Sequence, residues 1–188
     1  MKNILQKIVY RVALFFLILG LTGGFSSCKS HKKNQVEDTV HVGETVSVKK
    51  KKKKKADKIK STRNQIVDEC LTLIGTPYGY GHSEKGRATD CSGMVIVVYE
   101  KIANLKLPRN SAKQAEYCDK IKDREILPGD LVFFATGKDK KKVSHVGVMV
   151  DKNKFVHASG SKGVILSEMT TPYYQRTFLM YGRVPGLK

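Results

Sequence analysis

The sequence predicts an α+β domain in which helices come first and an antiparallel sheet follows. Three observations carry this. From residue 64, Ile66, Val67, Cys70, Leu71 and Ile74 recur at helical spacing. A second apolar run opens at Cys91, directly behind Asp90, a residue type that caps helices. After Leu127-Pro128-Gly129-Asp130 the pattern changes to period-2 and continuous apolar runs of strand length. Helices segregated from strands in this order argue against alternating βαβ units.

Ahead of that domain the chain reads as an address and a spacer. Lys2, Lys7 and Arg11 precede ten apolar residues, 12–21. Ten are too few to span a bilayer but suit the core of a signal peptide. Gly23, Gly24, Ser26 and Ser27 then lead to Cys28. A cysteine after small residues at a cleavage point resembles a bacterial lipoprotein signal, which implies a lipidated Cys28 and a membrane anchor. Residues 29–63 carry 13 basic and 4 acidic side chains, half of the chain's net charge of +18. They include seven consecutive lysines that open with Lys49 and close with Lys55. A block of like charge stays solvated, so this segment reads as a flexible tether. Its charge suits either an anionic lipid or wall polymer, or a spacer held extended. Nucleic-acid binding is disfavoured because no aromatics interleave the lysines. The expected organisation is 1–28 signal, 29–63 tether and 64–188 catalytic domain.

Within 64–188 the first helix should stop at Gly75. A Gly-rich loop with Pro77, Tyr78 and Tyr80 follows. The centre of the next element, Met94-Val95-Ile96-Val97-Val98-Tyr99, favours a strand by propensity alone. The cap at Asp90 predicts instead a helix over 91–102, buried on all sides and therefore needing no polar face. Residues 110–121 read as a second short helix. Strands are expected over 131–134, 145–150, 155–158, 164–166 and 178–184, with Asp151-Lys152-Asn153-Lys154 turning a hairpin. The basic segment 137–142 reads as an exposed loop.

The chemistry is expected at Cys91 and His145. A thiol attacks as its anion, which a helix N-terminus and an adjacent imidazolium stabilise. His145 would take the thiol proton and return it to a leaving amine. His157 is the candidate orienting group. With an odd number of loop residues between their strands, the two histidines share a sheet face. Such a pair is expected to give a rate that rises and falls between about pH 5 and 9. Cys70 and Cys118 read as two small buried thiols, with a disulfide as the alternative in an oxidising compartment. No Cys pair has C-x-x-C spacing and the five histidines lack paired ligand spacing, so neither a metal nor another cofactor is expected.

Six ordered elements resemble the NlpC/p60 family of cell-wall cysteine peptidases. They are Gly75-Thr76-Pro77-Tyr78, Asp90-Cys91-Ser92-Gly93, and Leu107-Pro108-Arg109-Asn110-Ser111 with Gln114. The series continues with Pro128-Gly129-Asp130-Leu131-Val132-Phe133-Phe134, Ser144-His145-Val146-Gly147-Val148 and Val156-His157-Ala158-Ser159. The resemblance implies a papain-like α+β fold with N-terminal helices packed on a C-terminal antiparallel sheet. It implies hydrolysis of an amide in peptidoglycan stem peptides, typically after the γ-carboxyl of D-glutamate. N-acetylmuramoyl-L-alanine amidase activity and a non-catalytic wall-binding lipoprotein are the alternatives. By the same resemblance Cys91 is nucleophile, His145 base and acid, and His157 the orienting residue. Tyr78 lies near the oxyanion, Asp90 and Ser92 contact the substrate amino end, and Arg109 is mainly structural. The chain departs from the family at Tyr80-Gly81-His82, where a Gly-Gly pair is usual. With the lipoprotein signal, the implied location is the cell envelope, anchored in the outer membrane and facing the periplasm.

Overall fold

The computed structural model describes residues 42–84 and 88–187. The expected signal segment, Cys28 and residues 29–41 lie outside the described residues. Helix α1 (Val42–Thr72) runs without interruption through the lysines. From residue 42 the expected flexible tether is therefore helical. Lysine is a good helix former, and like charges one turn apart cost only a few tenths of a kcal/mol per pair. The packed end of the helix supplies the nucleus from which those turns propagate. Residues 48–58 are exposed. Burial then begins, and Arg63, Ile66, Val67, Cys70 and Leu73 form the core-facing stripe. Arg63, assigned by composition to the tether, belongs to this stripe. Leu71 and Ile74, expected on it, are 37% and 46% exposed. Among the described residues no helix is long and apolar enough to cross a membrane.

A small antiparallel pair, β1 (Ser83–Glu84) with β2 (Ala88–Thr89), leads into helix α2 (Cys91–Ala103). Asp90 is in the extended conformation and its side chain accepts from the Gly93 amide, which closes the first turn. Met94, Val95, Val98 and Tyr99 are fully buried. Burial of each such side chain contributes about 1.5–3 kcal/mol. That outweighs the helix penalty of a valine, about half a kcal/mol or less. The helix ends at Asn104 in the left-handed conformation. Helix α3 (Ser111–Tyr117) is shorter than expected, because the chain turns at Cys118 into strand β3 (Asp119–Ile121). This edge strand shows no apolar alternation that sequence reading detects.

Five longer strands complete the sheet: β4 (Leu131–Phe134), β5 (His145–Met149), β6 (Lys154–Ser159), β7 (Gly163–Glu168) and β8 (Phe178–Arg183). A short helix, α4 (Pro172–Thr177), precedes β8. The order is β3-β8-β4-β5-β6-β7, and every pairing is antiparallel. One face packs on α1 and α2 through residues such as Ile66, Val95, Phe133, Val146 and Val156. The other holds Val132, Phe134, Met149, Phe155 and Tyr181, with Tyr174 and Phe178 against them. Apolar cover on both faces explains why β4 reads as a continuous rather than an alternating run.

A buried ionic cluster joins the first helix, the sheet and the C-terminus. Leu127-Pro128-Gly129-Asp130 forms a turn closed by the Asp130 amide on the Leu127 carbonyl, with Gly129 at φ +78° where a side chain would be strained. Asp130 is fully buried. Its carboxylate accepts from Arg63 Nη1 at 2.9 Å, Arg183 Nε at 2.9 Å, Arg183 Nη2 at 2.8 Å and the Leu127 amide at 2.8 Å. Arg63 also donates to the carbonyls of Pro128 and Leu187.

Candidate active site

Cys91 occupies the first position of α2 and is 9% exposed. The backbone N–H groups of Val146, Ser92 and Cys91 itself lie close enough to the sulfur to favour its anion. Val146 follows His145 on β5, so the thiol is seated against the strand that carries the imidazole.

His157 reaches His145 because of the hairpin. Val148 faces Val156 across β5 and β6, and the Val150 amide donates to the Lys154 carbonyl at 2.8 Å. The loop is residues 151–153, an odd number, so the parity condition set by the sequence is met. Extending the register puts His157 opposite Gly147 and diagonal to His145. His145 Nε2 lies 2.8 Å from His157 Nδ1, with the rings perpendicular. This contact leaves Nδ1 as the open nitrogen of His145. Gly147 makes this approach possible. A Cβ there would lie 2.6 Å from the Phe155 ring, 3.1 Å from the Val156 carbonyl oxygen and 3.3 Å from His157 Cβ. Gly147→Ala is expected to displace the His157 ring, cost about 1–3 kcal/mol of stability and cut turnover at least about 10-fold. Denaturation and turnover assays check both, and wild-type turnover would show that the His157 position is not critical.

The far side of His157 is held by two residues that sequence reasoning missed. His157 Nε2 lies 3.0 Å from both Ser167 Oγ on β7 and Tyr174 OH on α4. The two hydroxyls are 3.3 Å apart. Phe155 pairs with Ser167, which puts Ser167 on the His157 face. The parity was the available signal, but the apolar Val164-Ile165-Leu166 conceals it.

Burial sets the protonation of this group. It lowers His145 to about 4 and His157 to about 3, the latter helped by the charge His145 would carry. It raises the Cys91 thiol. The Val146 amide opposes that rise and the Asp90 charge adds to it. Desolvation thus outweighs the amides at the helix N-terminus, and burial favours the neutral form of both the thiol and the imidazole.

The remaining expected site residues surround the thiol. A cleft of about 370 Å³ is lined by Tyr78, Tyr80, Gly81, Asp90, Cys91, Ser92, Arg109, Asn110, Ser111 and Ser144. Burial raises the Tyr78 phenol, and the charges of Cys91 and Asp90 raise it further, so it keeps its proton. Burial alone would raise Asp90, but Arg109 and the Gly93 and Gly81 amides win and hold its carboxyl below the usual range. Arg109 grips that carboxylate with two nitrogens, at 3.1 and 2.7 Å, and donates to Ser92 Oγ at 3.0 Å. Ser92 Oγ in turn donates to Asp90 Oδ1 at 3.1 Å. Five donors already occupy Asp90, which makes it first a cap and anchor of the Cys91 turn. Gln114 braces the same turn by donating to the Ser92 and Pro108 carbonyls. His82 is exposed and outside the cleft lining. Its carbonyl accepts the Asp90 amide at 3.0 Å. Cys70 and Cys118 are free thiols. Among the described residues no cluster of three or more His, Cys, Asp or Glu is placed to hold a metal.

A helix-borne thiol packed on an antiparallel sheet that supplies paired histidines defines a papain-like α+β architecture. The NlpC/P60 family profile matches residues 75–183, and the chain belongs to that family. It is 42% identical over 119 residues to the probable endopeptidase NlpC of Escherichia coli (strain K12), covering 63% of this chain and 76% of that protein. It is 35% identical over 116 residues to the murein DD-endopeptidase MepS/murein LD-carboxypeptidase of the same strain, covering 62% of this chain and 60% of that one. Among solved structures, an NLP/P60-family protein of Staphylococcus aureus subsp. aureus Mu50, described as similar to lipoprotein, superposes with a TM-score of 0.59 at 33% identity. That match covers 66% of this chain and 41% of the other.

Proposed function

We propose that this chain is a peptidoglycan hydrolase that cleaves an amide bond in stem peptides through Cys91. The observation that carries the reading is the His145 Nε2 to His157 Nδ1 contact at 2.8 Å, which leaves His145 Nδ1 open on the strand whose next residue, Val146, turns its amide to the thiol. The Cys91 proton passes to His145 Nδ1 as the sulfur bonds to the carbonyl carbon. Tyr78, which keeps its proton, donates to the oxyanion. The C–N bond breaks as His145 returns the proton to the leaving amine. Water then gives a proton to His145 and attacks the thioester. The C–S bond breaks and the proton returns to sulfur. Asp90 and Ser92, on the cleft wall, meet the amino end of the peptide.

The bond proposed is the one between the D-glutamyl γ-carboxyl and the diamino acid. Mass analysis of the products from defined stem peptides tests it. Release of a free diamino-acid amine supports it. Cleavage at muramoyl-L-alanine, or between two D-centres as the name of the E. coli relative would suggest, overturns this choice of bond but not the hydrolase.

Burial also moves the expected pH dependence. The neutral imidazole is the working form, and it persists down to about pH 4. The thiol stays protonated above its ordinary range. The rate (kcat/KM) is therefore expected to rise as pH passes through about 4–5 and then stay level through neutrality. It should fall only when the thiol ionises on the alkaline side. This replaces the two limbs expected between about pH 5 and 9. An acid limb centred near 6.5 would show that His145 is not desolvated in solution.

We further propose that Cys28 is lipidated and that the protein sits in the cell envelope, in the outer membrane facing the periplasm. The signal-like segment motivates this. The exposed lysines of α1, Lys49 to Lys55, add a salt-sensitive contact to anionic lipid or wall polymer. One fractionation checks both ideas. Fatty-acid label should be lost in Cys28→Ala, and that variant should leave the envelope fraction only at high salt. Label retained on the variant defeats the lipidation reading, and salt-independent release defeats the lysine contact.

A further inference from the structure

We infer that Ser167 and Tyr174 are positioning residues that lock His157, and through it His145, in the tautomer able to accept the Cys91 proton. This deepens the thiol–imidazole reading proposed above and rests on it.

The hydrogen count along the chain of contacts requires a fixed direction. To receive a proton at Nδ1, neutral His145 must carry its own on Nε2. That N–H then donates to His157 Nδ1, 2.8 Å away. His157 must in turn carry its proton on Nε2, where an acceptor is needed. Ser167 Oγ and Tyr174 OH both stand 3.0 Å from that nitrogen. One N–H can be shared between two oxygens, whereas a bare ring nitrogen has one lone pair and takes one donor. Two hydroxyls converging on Nε2 therefore favour the protonated form. Their own hydrogens are disposed of between themselves, at 3.3 Å, or outward.

The opposite direction would stop the reaction. With its proton on Nδ1, His157 would donate to His145 Nε2. His145 would then hold its proton on Nδ1, the atom that the proposed transfer needs bare, and have nothing with which to accept. His157 is 2% exposed, so with both hydroxyls removed a proton on its Nε2 would be orphaned at a cost of about 1–3 kcal/mol, enough to switch the preference to Nδ1. Tyr174 is held for this task by its surroundings. Its ring meets Phe155 edge-on at 4.9 Å and packs 5.4 Å from Phe134, and Pro172 opens its helix.

The test uses the full chain, steady-state cleavage of a defined stem peptide, and ring-¹⁵N NMR of the histidines. Variants are Ser167→Ala, Tyr174→Phe, the double, and Ser167→Thr as the conservative control. Each is also made in a His157→Ala background. The double variant should lose about 10-fold or more in kcat with KM within about twofold. Its His157 ¹⁵N shifts should report the proton moving from Nε2 to Nδ1. Ser167→Thr should keep wild-type kcat. In the His157→Ala background the same substitutions should change nothing further. The inference is overturned if the double variant keeps kcat, if its loss persists without His157, or if the tautomer does not move. If the wild type cleaves no stem peptide, the functional reading fails, and the ¹⁵N shifts alone then decide the tautomer.

Discussion

Replacing Cys91 by alanine is expected to abolish stem-peptide cleavage, with a fall in kcat of about a thousandfold or more. Alanine removes the sulfur that the proposed mechanism needs both to attack and to leave. The surrounding turn is set by other groups, since Asp90 caps the helix through the Gly93 amide and Arg109 holds Asp90. Stability should therefore change by less than about 1 kcal/mol, the scale of one small, well-tolerated core substitution. Circular dichroism and denaturation on the same sample separate lost chemistry from lost fold. Cys91→Ala that folds normally and still cleaves would remove the thiol mechanism altogether. A non-catalytic wall-binding protein predicts the contrasting pattern, in which neither wild type nor variant releases product and both sediment with cell wall.

Asp130→Ala is expected to be the most destabilising single change at a charged residue. It would leave the guanidinium groups of Arg63 and Arg183 without their carboxylate, the first of them only 5% exposed. Removing one partner of such a cluster costs about 3–5 kcal/mol, against a total stability of about 5–15 kcal/mol for ordinary domains. Arg183→Gln should cost less, because its side chain is 18% exposed and water can take its place at the rim. The midpoints of chemical denaturation give both values. A loss under about 1 kcal/mol for Asp130→Ala would mean that burial around the turn, and not charge pairing, fixes α1 to the sheet.

The site was legible because its chemistry needs particular residue types at particular places. Asp90 followed by Cys91 announced a capped helix start, and His145 and His157 stood on strands whose boundaries were right to within about two residues. Local propensity misled where the environment outweighed it. Valines 95, 97 and 98 favour a strand, yet burial of Val95 and Val98 on a helix wins. The lysine run suggested disorder, yet a packed neighbour propagates the helix through it. Ser167 and Tyr174 stayed hidden because neither belongs to a motif. They acquire a partner only when β7 and α4 close on His157, a tertiary event with no local signature. The protonation of Cys91 is hidden from the sequence for a related reason. The helix terminus is visible in the sequence, but the degree of desolvation that outweighs it is not.

The three-residue connection at 151–153 therefore carries a hidden constraint. Adding or deleting one residue there would rotate one histidine to the opposite surface of the strand pair, and is expected to silence the proposed hydrolysis while Cys91, His145 and His157 all remained in the chain. Its length should be policed by selection as strictly as Cys91, while the identities of Asp151, Lys152 and Asn153 drift freely as long as they can turn.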